Sequence, residues 1–176
     1  MNILDVGCGE GFLYNPIINL NIVYDGMDRS EALINIAKKK WSEDHFYCLS
    51  YNDIISGNTH NLKATYDCIL FNFSLLDEAT IEQLSAFKNL LTNDGVILIQ
   101  TLHPCFIEKE YKDYWTEEHF DFSHIKFKGT MKWFRRTLSS WFNVFNQAKL
   151  CIIDISEPQG DTQKPNSLIF TLKSIS

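Results

Sequence analysis

Short apolar runs alternate with amphipathic stretches along most of this chain. Residues 2–6, 22–28, 45–49, 66–76 and 96–102 each read as a strand with its exit, rich in Ile, Leu, Val, Phe and Tyr. Between them, residues 30–38 and 79–91 carry apolar residues at helical spacing. In the second of these, Ile81, Leu84, Phe87, Leu90 and Leu91 share one face. Residues 96–102 are apolar on both faces, which predicts a central strand. Asn15 and Pro16 suit an N-cap and a first helical position, so the first helix is expected to be short, kinked or delayed. Asn93-Asp94-Gly95 predicts a turn before the fifth strand. Two late strands, residues 150–155 and 167–173, are joined by a polar loop without a helix, which suits an antiparallel hairpin at a sheet edge. The alternation of strands and helices predicts an α/β fold with a mostly parallel sheet.

Residues 103 to about 136 break this rhythm. Acids crowd the first part: Glu108, Glu110, Asp113, Glu117, Glu118 and Asp121. From Phe122 through Ile153 there is no acid, while Lys126, Lys128, Lys132, Arg135, Arg136 and Lys149 are present. Long interruptions in a small domain are usually covers or disordered, and the interspersed aromatics favour a folded cover. A helix should follow, with Thr137 or Ser139 as its N-cap.

The whole chain, 1–176, is expected to form a single domain. Its net charge of −6 argues against general binding to nucleic acid or to an anionic membrane surface. The acid-free stretch is the one feature favouring a nucleic-acid target, and the acids before it neutralise it. There is no leader and no long apolar run, so the expected location is cytoplasmic. The five cysteines are scattered and unpaired in sequence, which predicts neither a disulfide framework nor a metal site. Cys48, Cys68 and Cys151 lie in apolar runs and are expected to be buried.

The candidate chemistry begins at Asp5-Val6-Gly7-Cys8-Gly9-Glu10-Gly11. Asp5 is a carboxylate in an apolar strand and needs a partner. The glycines remove side chains where the backbone turns and a ligand approaches. A dinucleotide fingerprint would need its third glycine one residue later, where Phe12 stands. A phosphate loop would need Lys and Ser or Thr after the glycines, and both are missing. This stretch resembles the cofactor loop of class I S-adenosylmethionine (SAM) dependent methyltransferases, and the aromatic, Arg, Thr, Leu and amphipathic-helix series at residues 133–145 resembles one bacterial, small-molecule-type branch of them.

The resemblance covers nearly the whole chain. It implies a Rossmann-like, seven-stranded sheet of order 3-2-1-4-5-7-6 with the last strand antiparallel, and SAM as cofactor. By it, Asp5, Gly7, Cys8, Gly9 and Gly11 form the cofactor loop, and Asp28, followed by Arg29, holds the ribose hydroxyls. Asp25 is the competing acid, and Asp28 read alone also suits a helix cap or a turn. Ser50 and Tyr51 would flank the adenine, with Asp53 a weaker candidate. Asn72 would offer its amide, while Phe73 and Leu76 would wall the pocket or simply fill the core. The interruption at 103–136 would close over the substrate.

Methyl transfer from a sulfonium needs alignment and exclusion of water more than a fixed catalytic group. His103, at the end of the fifth strand, reads as a base or substrate-orienting group, or as a structural His before Pro104. Arg136 reads as a binder of a substrate carboxylate or phosphate, or as a structural arginine near a helix start. The family's usual N-terminal helical segment has no counterpart before Asn2. That leads to two expectations: weak SAM affinity, and a homodimer or partner chain covering the cofactor site. The main expectation is transfer of a methyl group to a small-molecule acceptor. The alternative is a truncated or non-catalytic SAM-binding domain acting through a partner subunit.

Overall fold

A computed structural model describes residues 1–41, 43–59, 61–106, 110–122, 127–159 and 165–175. Glu108, Lys126 and residues 160–164 of the late polar loop lie outside the described residues. The strands are β1 (Asn2–Val6), β2 (Val23–Asp28), β3 (Phe46–Cys48), β4 (Tyr66–Asn72), β5 (Leu91–Leu102), β6 (Tyr114–Phe122), β7 (Phe127–Arg135), β8 (Leu150–Ser156) and β9 (Ser167–Ser174). Seven of them form one sheet in the order β3-β2-β1-β4-β5-β9-β8, and β6 and β7 form a separate antiparallel pair. β1 to β5 are parallel, and β9 runs antiparallel to both β5 and β8. Apart from the separate pair, this is the expected strand order.

The helices are α1 (Tyr14–Ile17), α2 (Glu31–Lys40), α3 (Tyr51–Ile55), α4 (Thr80–Lys88) and α5 (Leu138–Gln147). They cover both faces of the sheet. One face buries Leu4, Val6, Ile69 and Ile97 beneath Ile54 of α3, Leu84 and Phe87 of α4, and Trp141 and Phe145 of α5. The other buries Tyr24 and Phe46 beneath Tyr14 of α1 and Ile34 and Ala37 of α2. No helix among the described residues is long and apolar enough to cross a membrane.

Three local features differ from the sequence expectation. β5 begins at Leu91, because Leu91 pairs with Tyr66 before Val96 pairs with Cys68. Asn93-Asp94-Gly95 therefore bulges within the strand rather than preceding it. Pro16 is the third residue of a four-residue helix and not its first, and a 3-10 turn (Ile18–Leu20) follows. Cys48 and Cys151 are exposed, on the short β3 and the edge strand β8, whereas Cys68 is buried as expected. α5 takes Thr137 as N-cap, its side chain accepting from the Ser140 N–H.

Candidate functional site

A cleft of about 650 Å³ opens at the carboxyl ends of β1, β2 and β4, with the β6–β7 pair on its far side. Open α/β sheets place their ligand sites at this edge. The β1 exit makes it possible. Gly7, Gly9 and Gly11 all adopt positive φ. The Gly7 and Cys8 N–H groups both donate to the Met27 carbonyl, at 2.8 and 3.0 Å, which folds the loop onto the end of β2. Gly7 sits against Ser74, and a Cβ there would lie 2.5 Å from the Ser74 Cβ.

Asp28, at the end of β2, is tied on both oxygens. Its Oδ2 accepts from the Gly9 N–H at 3.0 Å and its Oδ1 from the Ser30 N–H at 2.8 Å. Each carboxylate oxygen has further acceptor capacity, and Asp28 borders the cleft. Asp28 is not the helix cap: Ser30 is, accepting from the Leu33 N–H. Asp25 is buried elsewhere, accepting from Lys63 Nζ at 2.7 Å and the Tyr66 hydroxyl at 2.8 Å.

Of the other expected residues, Gly7, Arg29, Ser50, Tyr51, Phe73 and Leu76 border the cleft. Ser50 caps the short helix α3 in a reciprocal box with Asp53, so the Asp53 carboxylate is occupied locally and its pKa is lowered by those Ser50 bonds. Tyr51 donates its hydroxyl to the Ser74 carbonyl at 2.8 Å. Phe73 adopts a φ of 51°, uncommon for a bulky residue, and its ring is exposed at the cleft.

Asp5, Cys8, Gly9, Gly11 and Asn72 are not part of this lining. Asp5 finds its partner in Tyr24, whose hydroxyl donates to Oδ2 at 2.6 Å. Burial pushes the Asp5 carboxyl up to about 6, against the lowering effect of that bond. Burial likewise pushes the Cys8 thiol up, and Cys8 packs in the apolar cluster around Tyr24 and Phe46. Gly11 makes room for rings: a Cβ there would lie 2.8 Å from Phe46 and 2.9 Å from Trp41. The Asn72 Oδ1 is buried without a hydrogen-bond partner among the described residues.

His103 and Arg136, the two expected catalytic residues, are not part of this lining. Both border a smaller depression lined by Trp133, Arg135 and Trp141. His103 is buried, with Nε2 2.8 Å from Glu157 Oε1, and its Nδ1 accepts from the Cys105 N–H at 3.1 Å. Both ring nitrogens are therefore occupied, and the imidazole fastens the β5 exit to the end of β8. Arg136 is 8% exposed. Its Nη2 donates to the carbonyls of Glu78 (2.8 Å) and Asp77 (3.3 Å) and to Thr80 Oγ1 (3.2 Å), and its guanidinium lies over the rings of Phe134 and Trp141. These contacts favour the structural reading of Arg136, as a clamp on the approach to α4.

Several cleft residues were not anticipated: Ser74, Asp77 and Gln83 from the β4–α4 region, and Glu117, Thr130 and Lys132 from the β6–β7 pair. Thr130 and Lys132 are two apart on one strand and so share a face, a signal that alternation in residues 127–135 contained. Ser74 is the hub of the β4 exit. Its Oγ donates to the Val6 carbonyl at 2.6 Å, so β1 and β4 are joined just where Gly7 turns.

The methyltransferase domain family matches residues 4–97. The ubiquinone biosynthesis O-methyltransferase of Bartonella quintana is 27% identical over 105 residues, which are 58% of this chain and 42% of that protein. The malonyl-[acyl-carrier protein] O-methyltransferase of Bacillus cytotoxicus is 27% identical over 107 residues, 57% of this chain and 35% of that protein. The matches thus span less than half the length of either relative. Among solved structures, a protein of Listeria monocytogenes described as an S-adenosylmethionine dependent methyltransferase superposes with a TM-score of 0.75 at 17% identity, covering 99% of this chain and 90% of the other. At that identity the likeness is one of fold.

Proposed function

This chain belongs to the methyltransferase domain family, and from that premise we propose that it binds SAM in the main cleft and passes a methyl group to a small-molecule acceptor by direct displacement. The observation that carries the reading is the bond between Asp28 and Gly9 at the cleft edge, which joins a strand-end carboxylate to the glycine loop. Asp28 keeps acceptor capacity on both oxygens for two vicinal hydroxyls. Gly7 turns the backbone beside Ser74 at the cleft lining. Arg29, Ser50, Tyr51, Phe73 and Leu76 supply the remaining walls. A cleft of about 650 Å³ suits a nucleoside carrying an amino-acid tail.

When bound, SAM supplies a methyl already placed on a good leaving group. The chain's contribution is alignment and the exclusion of water. In this reading the β6–β7 pair is the lid of a single domain, with the acceptor held between it and the β4–α4 wall. The same reading carries a cytoplasmic location, and a homodimer or partner chain over the glycine loop. Calorimetric titration with S-adenosylhomocysteine tests the core of it. One-to-one binding supports the proposal, and no heat of binding across the millimolar range refutes it.

A further inference from the structure

Gln83, in the first turns of α4, is 5% exposed, yet it borders the main cleft. Its Nε2 donates to Asp77 Oδ2 at 3.3 Å, and its Oε1 is buried without a partner. The chemistry explains this orientation. A carboxylate only accepts, so the amide must turn its nitrogen to Asp77 and leave its oxygen over. An unsatisfied buried carbonyl is costly, and such an atom needs a reason. The terminal torsion of glutamine is soft, so a small rotation brings Oε1 to the cleft while Nε2 stays near Asp77. The clamp on the Asp77 and Glu78 carbonyls by Arg136 holds the backbone that positions the pair.

We propose that Gln83 Oε1 and the Asp77 carboxylate form a subsite of the cleft that recognises an amino group. Two neighbouring acceptors select a ligand group with two N–H donors and disfavour one that presents a carbonyl or a single hydroxyl. The amino group comes from one of two sources, the adenine of the cofactor or an amine on the methyl acceptor. The inference rests on the SAM reading above.

The test has two arms, each run on the wild type, Gln83→Met and Asp77→Asn. In the first, S-adenosylhomocysteine is titrated against S-inosylhomocysteine, in which a ring carbonyl replaces the amino group. In the second, benzylamine is titrated against benzyl alcohol in protein saturated with S-adenosylhomocysteine. The wild type should prefer the amino ligand by about tenfold in one arm, and that arm identifies the source. Both variants should lose the preference. Gln83→Met removes the acceptor, and Asp77→Asn lets the amide turn its donors toward the cleft. Asp77 is exposed, so its variant keeps the test sound if Gln83→Met fails to fold. A wild type with no preference in either arm, or a preference that survives in a folded variant, overturns the subsite alone. A wild type that binds neither homocysteine ligand overturns the SAM reading, and the subsite falls with it.

Discussion

The Asp28 carboxylate holds the Gly9 amide at 3.0 Å, although the two residues are nineteen positions apart in sequence. The same side chain secures the Ser30 N–H at the head of α2. Asp28→Ala therefore removes an acceptor from the cleft and also frees the glycine loop. S-adenosylhomocysteine should bind at least about thirtyfold more weakly to this variant, as for loss of a charge-assisted bond. Equal affinity in calorimetry would remove Asp28 from the ribose role.

Alanine at the loop glycines should separate strain from collision. Gly9 has a φ of 58° and open space around its missing Cβ, so Gly9→Ala should cost about 1–2 kcal/mol. Gly7 has a φ of 77° and Ser74 in the way, so Gly7→Ala should cost more, about 3 kcal/mol or above. Urea unfolding measures both. Equal losses would mean that Ser74 yields freely.

Asp5 should leave a signature in stability against pH. Folded, its carboxyl titrates at about 6, above the ordinary 3.8 that it regains on unfolding. Between those values the folded state binds more protons, so stability falls as pH rises. The stabilisation is fully present below the ordinary value and lost above about 6, in total roughly 3 kcal/mol. Asp5→Asn keeps an acceptor for the Tyr24 hydroxyl but removes the titration. The difference between wild type and variant should slope across this window, and parallel profiles would contradict the assignment.

Arg136→Lys tests the clamp. A lysine cannot meet the Glu78 and Asp77 carbonyls with one nitrogen and Ser140 Oγ with another while laying a plane over Phe134 and Trp141. We expect a loss of about 2 kcal/mol and faster amide exchange over residues 77–80. A variant as stable as the wild type would show that the contacts are dispensable.

His103→Gln should behave differently from Asp28→Ala. His103 is engaged by Glu157 and the Cys105 N–H outside the cleft. Stability should fall by about 1 kcal/mol, with S-adenosylhomocysteine affinity within about twofold of wild type. A large drop in affinity would return His103 to the site.

The parallel sheet was legible because buried strands and amphipathic helices carry their period in the sequence. The glycine loop was legible because Asp5, Gly7, Gly9 and Gly11 combine an acid, a strand exit and positive-φ positions. Which of its two readings suits His103 was not legible, because its partner Glu157 is 54 positions away and no local pattern announces such a pair. The same holds for Arg136: its oxygens come from Asp77 and Glu78, joined to it only by the folded chain. Gln83 was invisible because a polar residue on a helix reads as solvated until its burial is known.

The place of β9 also bears on synthesis. It is made after β8 yet lies between β8 and β5. Until residues 167–174 leave the ribosome, β5 presents an unpaired backbone edge and β8 has no neighbour in the sheet. The nascent chain can complete β1 to β5 while its outer border stays adhesive. Closure of the sheet thus waits on residues 167–174.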